Sequence, residues 1–135
     1  MANEAVLFIR TDHPIPFTVA NGTGIEKGAV LKLTDPLTAA AADGAADMVA
    51  GIAASGKIAS DGKTKLGVYQ RGIFKMTLSG VCAVGDALRT DLSDNHVSVL
   101  SSDISGVRII GTSLETGATG DTILVNVNVQ ATGVN

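Results

Sequence analysis

The stretch Lys65–Ser79, KLGVYQRGIFKMTLS, alternates along most of its length. Leu66, Val68, Phe74, Met76 and Leu78 hold even positions; Tyr69, Arg71, Lys75 and Thr77 hold odd ones, with Ile73 the exception. Period-two alternation is the pattern of a β-strand with one face on a core and one in water. The even face lapses only at Gln70 and Gly72. One straight strand of this length is too long for a small domain. A bend or bulge is therefore expected near Gly72, where no side chain opposes it.

Outward from this strand the chain falls into two related halves. Ile25–Lys32 (IEKGAVLK) is echoed by Cys82–Arg89 (CAVGDALR), with Gly and Leu in register. Val49–Ala53 is echoed by Ile109–Ser113, and the sequence from Thr64 by Thr122–Gln130 (TILVNVNVQ). In the last of these, Ile123, Val125, Val127 and Val129 are expected inward, with Asn126, Asn128 and Gln130 outward. The offsets of 57, 60 and 58 residues favour two similar β units; chance similarity among Gly/Val-rich strands is the competing reading.

The remaining segments add strands and turns. Ile25–Leu33 turns at Lys27-Gly28 and runs out as a strand. Met48–Ala54 is a short buried strand, and Ser60–Lys63 is a turn. Thr38–Ala46 is read as a loop, because Asp43-Gly44 breaks its alanines and no stripe of large apolar residues appears. Pro14 and Pro16 keep Ile15–Val19 extended and at an edge. Eight or nine short strands with Gly-rich turns and no amphipathic helix read as an all-β barrel or sandwich. Met1–His13 reads as an extended N-terminal arm, and residues 14–135 as one β-rich domain. The apolar run Glu4–Arg10 has little obvious partner of its own, which suggests that something outside the chain covers it. The competing reading makes Val6–Ile9 the first core strand; the two roles are compatible.

Composition narrows the function classes. The 135 residues suffice for one domain with a core of small and β-branched side chains: aromatics are 3% and Trp is absent. A net charge of −3 offers no basic surface for phosphates, and few rings are present for base stacking, so nucleic acid is not an expected partner. Cys82 is the lone cysteine and is expected to be a buried apolar side chain rather than a reactive thiol. No run reaches membrane-spanning length, and Met1–Arg10 lacks the layout of a signal peptide, so synthesis and folding in a reducing cytoplasm are expected.

The polar residues form no recognisable catalytic or ligand motif. His13 sits in a proline-flanked loop, and His96 in the turn Asp91–His96; neither has zinc-ligand spacing around it. Asp91, Asp94 and His96 lack the Gly and distal Glu of a calcium loop, and their composition is ordinary turn chemistry. Gly22–Gly28 has the wrong spacing for a dinucleotide or phosphate loop, and no serine stands in a nucleophile motif. The expectation is a non-enzymatic chain with no cofactor, no metal and no small-molecule substrate.

Four phrases carry a family resemblance: Pro14–Ala20 (PIPFTVA), Ile25–Pro36 (IEKGAVLKLTDP), Val49–Ala54 (VAGIAA) and Val68–Phe74 (VYQRGIF). Together, in this order, they resemble the capsid decoration (cement) proteins of tailed bacteriophages. The resemblance implies a β-rich homotrimer, made in the bacterial host. It would bind the outer surface of the expanded head and clamp neighbouring subunits of the major capsid protein. By the same analogy the arm residues Ala5, Val6, Leu7, Phe8, Ile9 and Arg10 would contact the capsid. The rival from another class is a tail or fibre module that binds a host receptor or carbohydrate.

Overall fold

The computed structural model describes residues 3–42, 48–91, 95–99 and 109–129. These carry eleven strands: β1 Val6–Ile9, β2 Ile15–Thr18, β3 Val30–Asp35, β4 Thr38–Ala41, β5 Val49–Ala53 and β6 Lys65–Tyr69, then β7 Arg71–Thr77, β8 Ala87–Asp91, β9 His96–Val99, β10 Gly111–Ser113 and β11 Thr122–Asn128. The fold is all-β. No helix among the described residues is long and apolar enough to cross a membrane.

The alternating stretch is two strands rather than one. Gln70 alone separates β6 from β7, and the chain passes there from a closed barrel (β2-β4-β3-β5-β6) into a six-stranded sheet (β1-β7-β11-β10-β8-β9). The even face stays inward across the break: Leu66, Val68, Phe74, Met76 and Leu78 are all buried. The break lies two residues before the expected site. Gln70 spends its side chain on Ala50 O and its carbonyl on Val129 N, so it bridges both sheets. Gly72, at φ +152°, packs under β1, where an added Cβ would stand 3.0 Å from Phe74 Cε1 and 3.3 Å from Ile9 O. An edge-to-face contact of Tyr69 with Phe74, 5.7 Å between centroids, spans the corner.

The internal repeat is realised in its turn bonds, although the third echo does not keep its offset: 58 would match buried Leu66 with half-buried Leu124. The barrel order β2-β6-β5-β3-β4 matches β7-β11-β10-β8-β9 in the sheet. The turn bonds Gly28 N→Ala53 O, Ala53 N→Ala29 O and Ala29 N→Glu26 O recur as Gly85 N→Ser113 O, Ser113 N→Asp86 O and Asp86 N→Ala83 O. The bridge Ile25↔Lys57 recurs as Cys82↔Gly117. A parallel bridge, Leu78↔Val97, also ties the end of β7 to β9, as Thr18↔Thr38 ties β2 to β4, though in a shifted register. Chance similarity does not reproduce a hydrogen-bond network. The chain is two copies of one β unit, with β1 added to the outer edge of the second.

Two cores result from this layout. Phe17, Val19, Leu31, Ala50, Leu66 and Val68 fill the barrel. A second core joins Phe74, Met76, Leu88, Ile110 and Val125 of the sheet to Val30, Val49 and Ile52, which face outward from the barrel. Strand β5 is consequently buried at every residue, the signature of a strand with apolar layers on both faces. Cys82 is buried among these side chains, as expected. Ile123, Val125 and Val127 point inward, and Asn126 is exposed.

Two expectations fail. Ile15–Thr18 is not a free edge, because it pairs with β6 along its length and meets β4 at Thr18↔Thr38 to close the barrel. Thr38–Ala41 is a strand, not a loop: Ala39, Ala40 and Ala41 pair with Leu33, Lys32 and Leu31. Alanine carries little strand preference of its own. Here the pairing edge of β3 and the burial of Ala39 decide the conformation. Residues 43–46 of the expected loop, Asp94 of the expected turn and Gln130 lie outside the described residues.

Candidate functional site

The leading segment is built into the molecule at two points. Ala5 is buried and donates its N–H to Gly28 O (3.1 Å), laying Glu4 and Ala5 across the Lys27-Gly28 turn of the barrel. Val6–Ile9 then pairs antiparallel with β7, Val6 opposite Lys75 and Leu7 opposite Phe74. The register slips between Leu7 and Ile9, so Phe8 is the extra residue of a bulge. Leu7 turns onto the second core. Its neighbours face solvent: Val6 is 48% exposed, Phe8 53% and Ile9 48%. Lys75 Nζ stands 5.3 Å over the Phe8 ring. Arg10 is exposed and donates to His13 Nδ1 (2.7 Å). Of the six residues expected to meet a partner, Val6, Phe8, Ile9 and Arg10 are presented outward, Leu7 is half-buried, and Ala5 is spent on the barrel.

The segment is also stapled by a residue that no sequence motif marks. Asn95, at φ +59°, stands just before β9. Its amide donates to Asn3 O (2.8 Å) and Gly28 O (3.0 Å), and its Oδ1 accepts from Val30 N (2.7 Å). One carboxamide thus joins the second unit, the barrel and the leading segment. His96 Nε2 lies 3.1 Å from Asn3 Nδ2 beside it. The only sequence signal for this was the Asn itself, a residue that tolerates positive φ and satisfies backbone groups.

Lys57 closes the end of the barrel. Its side chain is fully buried (0% exposed), with Nζ donating to the carbonyls of Asn21, Thr23 and Ile58 and lying 3.8 Å from Asp61 Oδ1. The Asp61 carboxyl is held below its ordinary value by the Lys63 N–H first, then the Ile58 N–H and the Lys57 and Lys63 charges, against some desolvation. In the second unit the same place is apolar. Gly117 replaces Lys57 and buried Leu78 replaces Asn21, the Leu78 Cδ1 standing 2.9 Å from where a Gly117 Cβ would be.

Among the described residues the titratable groups do not converge on one point. Among the described residues no group of three or more His, Cys, Asp and Glu side chains could hold a metal ion. His13 and His96 have different neighbours, Arg10 and Asn3. A groove of about 410 Å³ beside the leading segment mixes Glu4, Glu26 and Asp61 with Lys27, Lys57 and Lys63, so it has no single-sign field to concentrate a charged ligand. The arrangement offers surface: an apolar edge on β1, and rigid turns at the unit ends.

The fold is shared with a solved structure. The crystal structure of the N base of the head fiber gp8.5 of bacteriophage phi29 matches with a TM-score of 0.57 at 15% identity, covering 84% of this chain and 93% of that chain. At that identity the likeness establishes the fold. No protein-family model matches the sequence, and no curated protein matches it.

Proposed function

We propose that this chain is a non-enzymatic structural protein of a bacteriophage virion, made in the bacterial cytoplasm and seated on the outer surface of the expanded head. There it clamps neighbouring major-capsid subunits as a homotrimer. The observation that carries the reading is the fold shared with a protein of a phage head fiber over most of both chains. Support comes from the sequence phrases that resemble capsid decoration proteins, and from the outward row Val6, Phe8 and Ile9 on an edge strand. An edge strand with exposed apolar side chains suits strand addition, in which backbone bonds give affinity and side chains give selectivity. A protein that binds only the assembled lattice stabilises it by about RT ln(1 + [L]/Kd) per site. Three copies joined as one ligand make the later contacts intramolecular and raise avidity.

The test is co-sedimentation with expanded, undecorated heads of the virus that encodes the chain. Phe8→Asp runs alongside, since its side chain is half out of the fold and its loss leaves the cores intact. Saturable binding at a fixed ratio to capsid subunits, weakened by Phe8→Asp, is the expected result. Saturable binding that ignores the substitution would move the anchor off β1. Absence of binding would overturn the reading. The neighbour is the base of a fiber, which favours a second reading: a domain that seats a longer fibre and its receptor-binding end on the virion. Virions lacking this protein would then lose adsorption to the host rather than head stability.

A further inference from the structure

The repeat allows one unit to report what the other lacks. In the barrel, the turn at Gly28 is covered by an extended segment of the chain's own backbone. Ala5 N donates to Gly28 O, and a Cβ on Gly28 would collide with Glu4 Cγ and stand 2.8 Å from Ala5 O. Gly28 is accordingly buried. The equivalent turn of the second unit has the same internal bonds and the same left-handed glycine, Gly85 at φ +91°. Its glycine is exposed, a Cβ there would meet nothing within 4 Å, and Gly85 O accepts no hydrogen bond among the described residues. The positive φ explains the glycine at both positions. It does not explain why one is covered and the other bare.

The side chains around the bare turn differ in a consistent direction. Val81, Val84 and Leu114 are 74%, 64% and 41% exposed, where the barrel has Gly24, Lys27 and Ala54 at the matching positions. They stand on the two segments that Cys82↔Gly117 and Gly85 N→Ser113 O lace together. Those segments, 80–87 and 113–121, carry Asp86, Glu115 and Asp121 and no Lys or Arg. The barrel's counterpart is charge-balanced, with Glu26 and Asp61 against Lys27 and Lys57.

From this asymmetry, and resting on the head-surface reading above, we infer that the Gly85 turn is the seat of an extended segment of the shell protein. That segment repeats on the second unit what Glu4–Ala5 does on the first. It donates a backbone N–H to Gly85 O and sets a small residue over the glycine. It covers Val81, Val84 and Leu114 with aliphatic side chains, and basic residues flank it to meet Asp86, Glu115 and Asp121. A second copy of this chain is the weaker occupant, because its own leading segment is already held by Gly28 and Asn95.

The experiment uses the full chain and the same expanded heads. Val84→Asp places a charge on an exposed side chain outside both cores, and thermal melting confirms its fold. It is expected to weaken binding by about tenfold or more, and wild-type binding is expected to fall as salt screens the acidic rim. A photoreactive benzophenone amino acid in place of Val84 is expected to crosslink to the shell protein, while the same residue in place of exposed Leu37, on the barrel, does not. Wild-type binding with unchanged Val84→Asp affinity and no crosslink at position 84 overturns the inference and leaves the head-surface function standing. A crosslink between copies of this chain overturns it in favour of self-association. If the wild-type chain fails to bind heads, both fall together.

Discussion

Replacing Lys57 by methionine tests how the barrel's end is held shut. Methionine keeps most of the apolar stem and removes the ammonium, so Thr23 O loses its donor while Asn21 O keeps the Ser60 N–H and Ile58 O the Asp61 N–H. Hydrogen bonds to a charged group are worth about 1.5–3 kcal/mol each. Three cannot simply be summed, because holding an ammonium out of water costs several kcal/mol and the variant no longer bears that cost. The bond to Ile58 O, at 3.4 Å, is also weak. The net loss expected for Lys57→Met is about 2–4 kcal/mol. For a chain of this size that lowers Tm by roughly 6–20 °C. Urea unfolding measured by circular dichroism should show a lower midpoint at unchanged slope. The second unit supplies the control. Leu78 does by apolar contact what Lys57 does by charge, so Leu78→Ala should cost about 2–5 kcal/mol with no dependence on ionic strength. A Lys57→Met protein that melts within about 2 °C of wild type would refute the reasoning, showing that the loop carbonyls are satisfied without the ammonium.

Three further outcomes are expected. Gly51→Ala would drive a Cβ into the Tyr69 carbonyl oxygen and to 2.6 Å from Val68 Cγ1. A loss above about 3 kcal/mol, or no soluble protein, is the expected outcome, and near-wild-type melting would contradict it. The Asp61 carboxyl should titrate below 3.8 by NMR. Because its folded value is the lowered one, its contribution is whole above the ordinary value and disappears as pH falls through the folded value; a titration at or above 3.8 would remove that contribution. Cys82 should react with a thiol reagent only as fast as the protein opens, since the sulfur is buried; rapid labelling of the native protein would contradict its placement.

Strands were legible wherever each served one core. Alternation from Lys65 to Ser79 and from Thr122 to Val129 foretold the inward side chains, because Leu66 and Val125 each have one apolar side to find. The repeat was legible through Gly28 and Gly85, whose left-handed turns fix the register of the strands after them. The strand Thr38–Ala41 was not, since three alanines say little until Leu31 and Leu33 lie beside them. Lys57 reads in sequence as an ordinary surface lysine between Gly56 and Ile58. Its burial depends on carbonyls contributed from Asn21 and Thr23, which no local pattern displays. Asn95 is hidden for the same reason: its partners Asn3, Gly28 and Val30 are remote in the chain. Local pattern finds faces; it does not find the polar staples that join them.

The pairing of β1 with β7 also sets an order of events during synthesis. Val6–Ile9 leaves the ribosome long before Ile73, Phe74 and Lys75, the residues it must lie against. The first barrel can close on its own strands while this segment still trails unmated, its Leu7 and Phe8 open to a chaperone. Only once β7 has emerged does an edge exist to receive it. Seating of β1 is therefore expected to follow the synthesis of β7. A nascent chain that stops short of β7 would leave Leu7 without its core, and a finished one seats Leu7 while Phe8 stays outward.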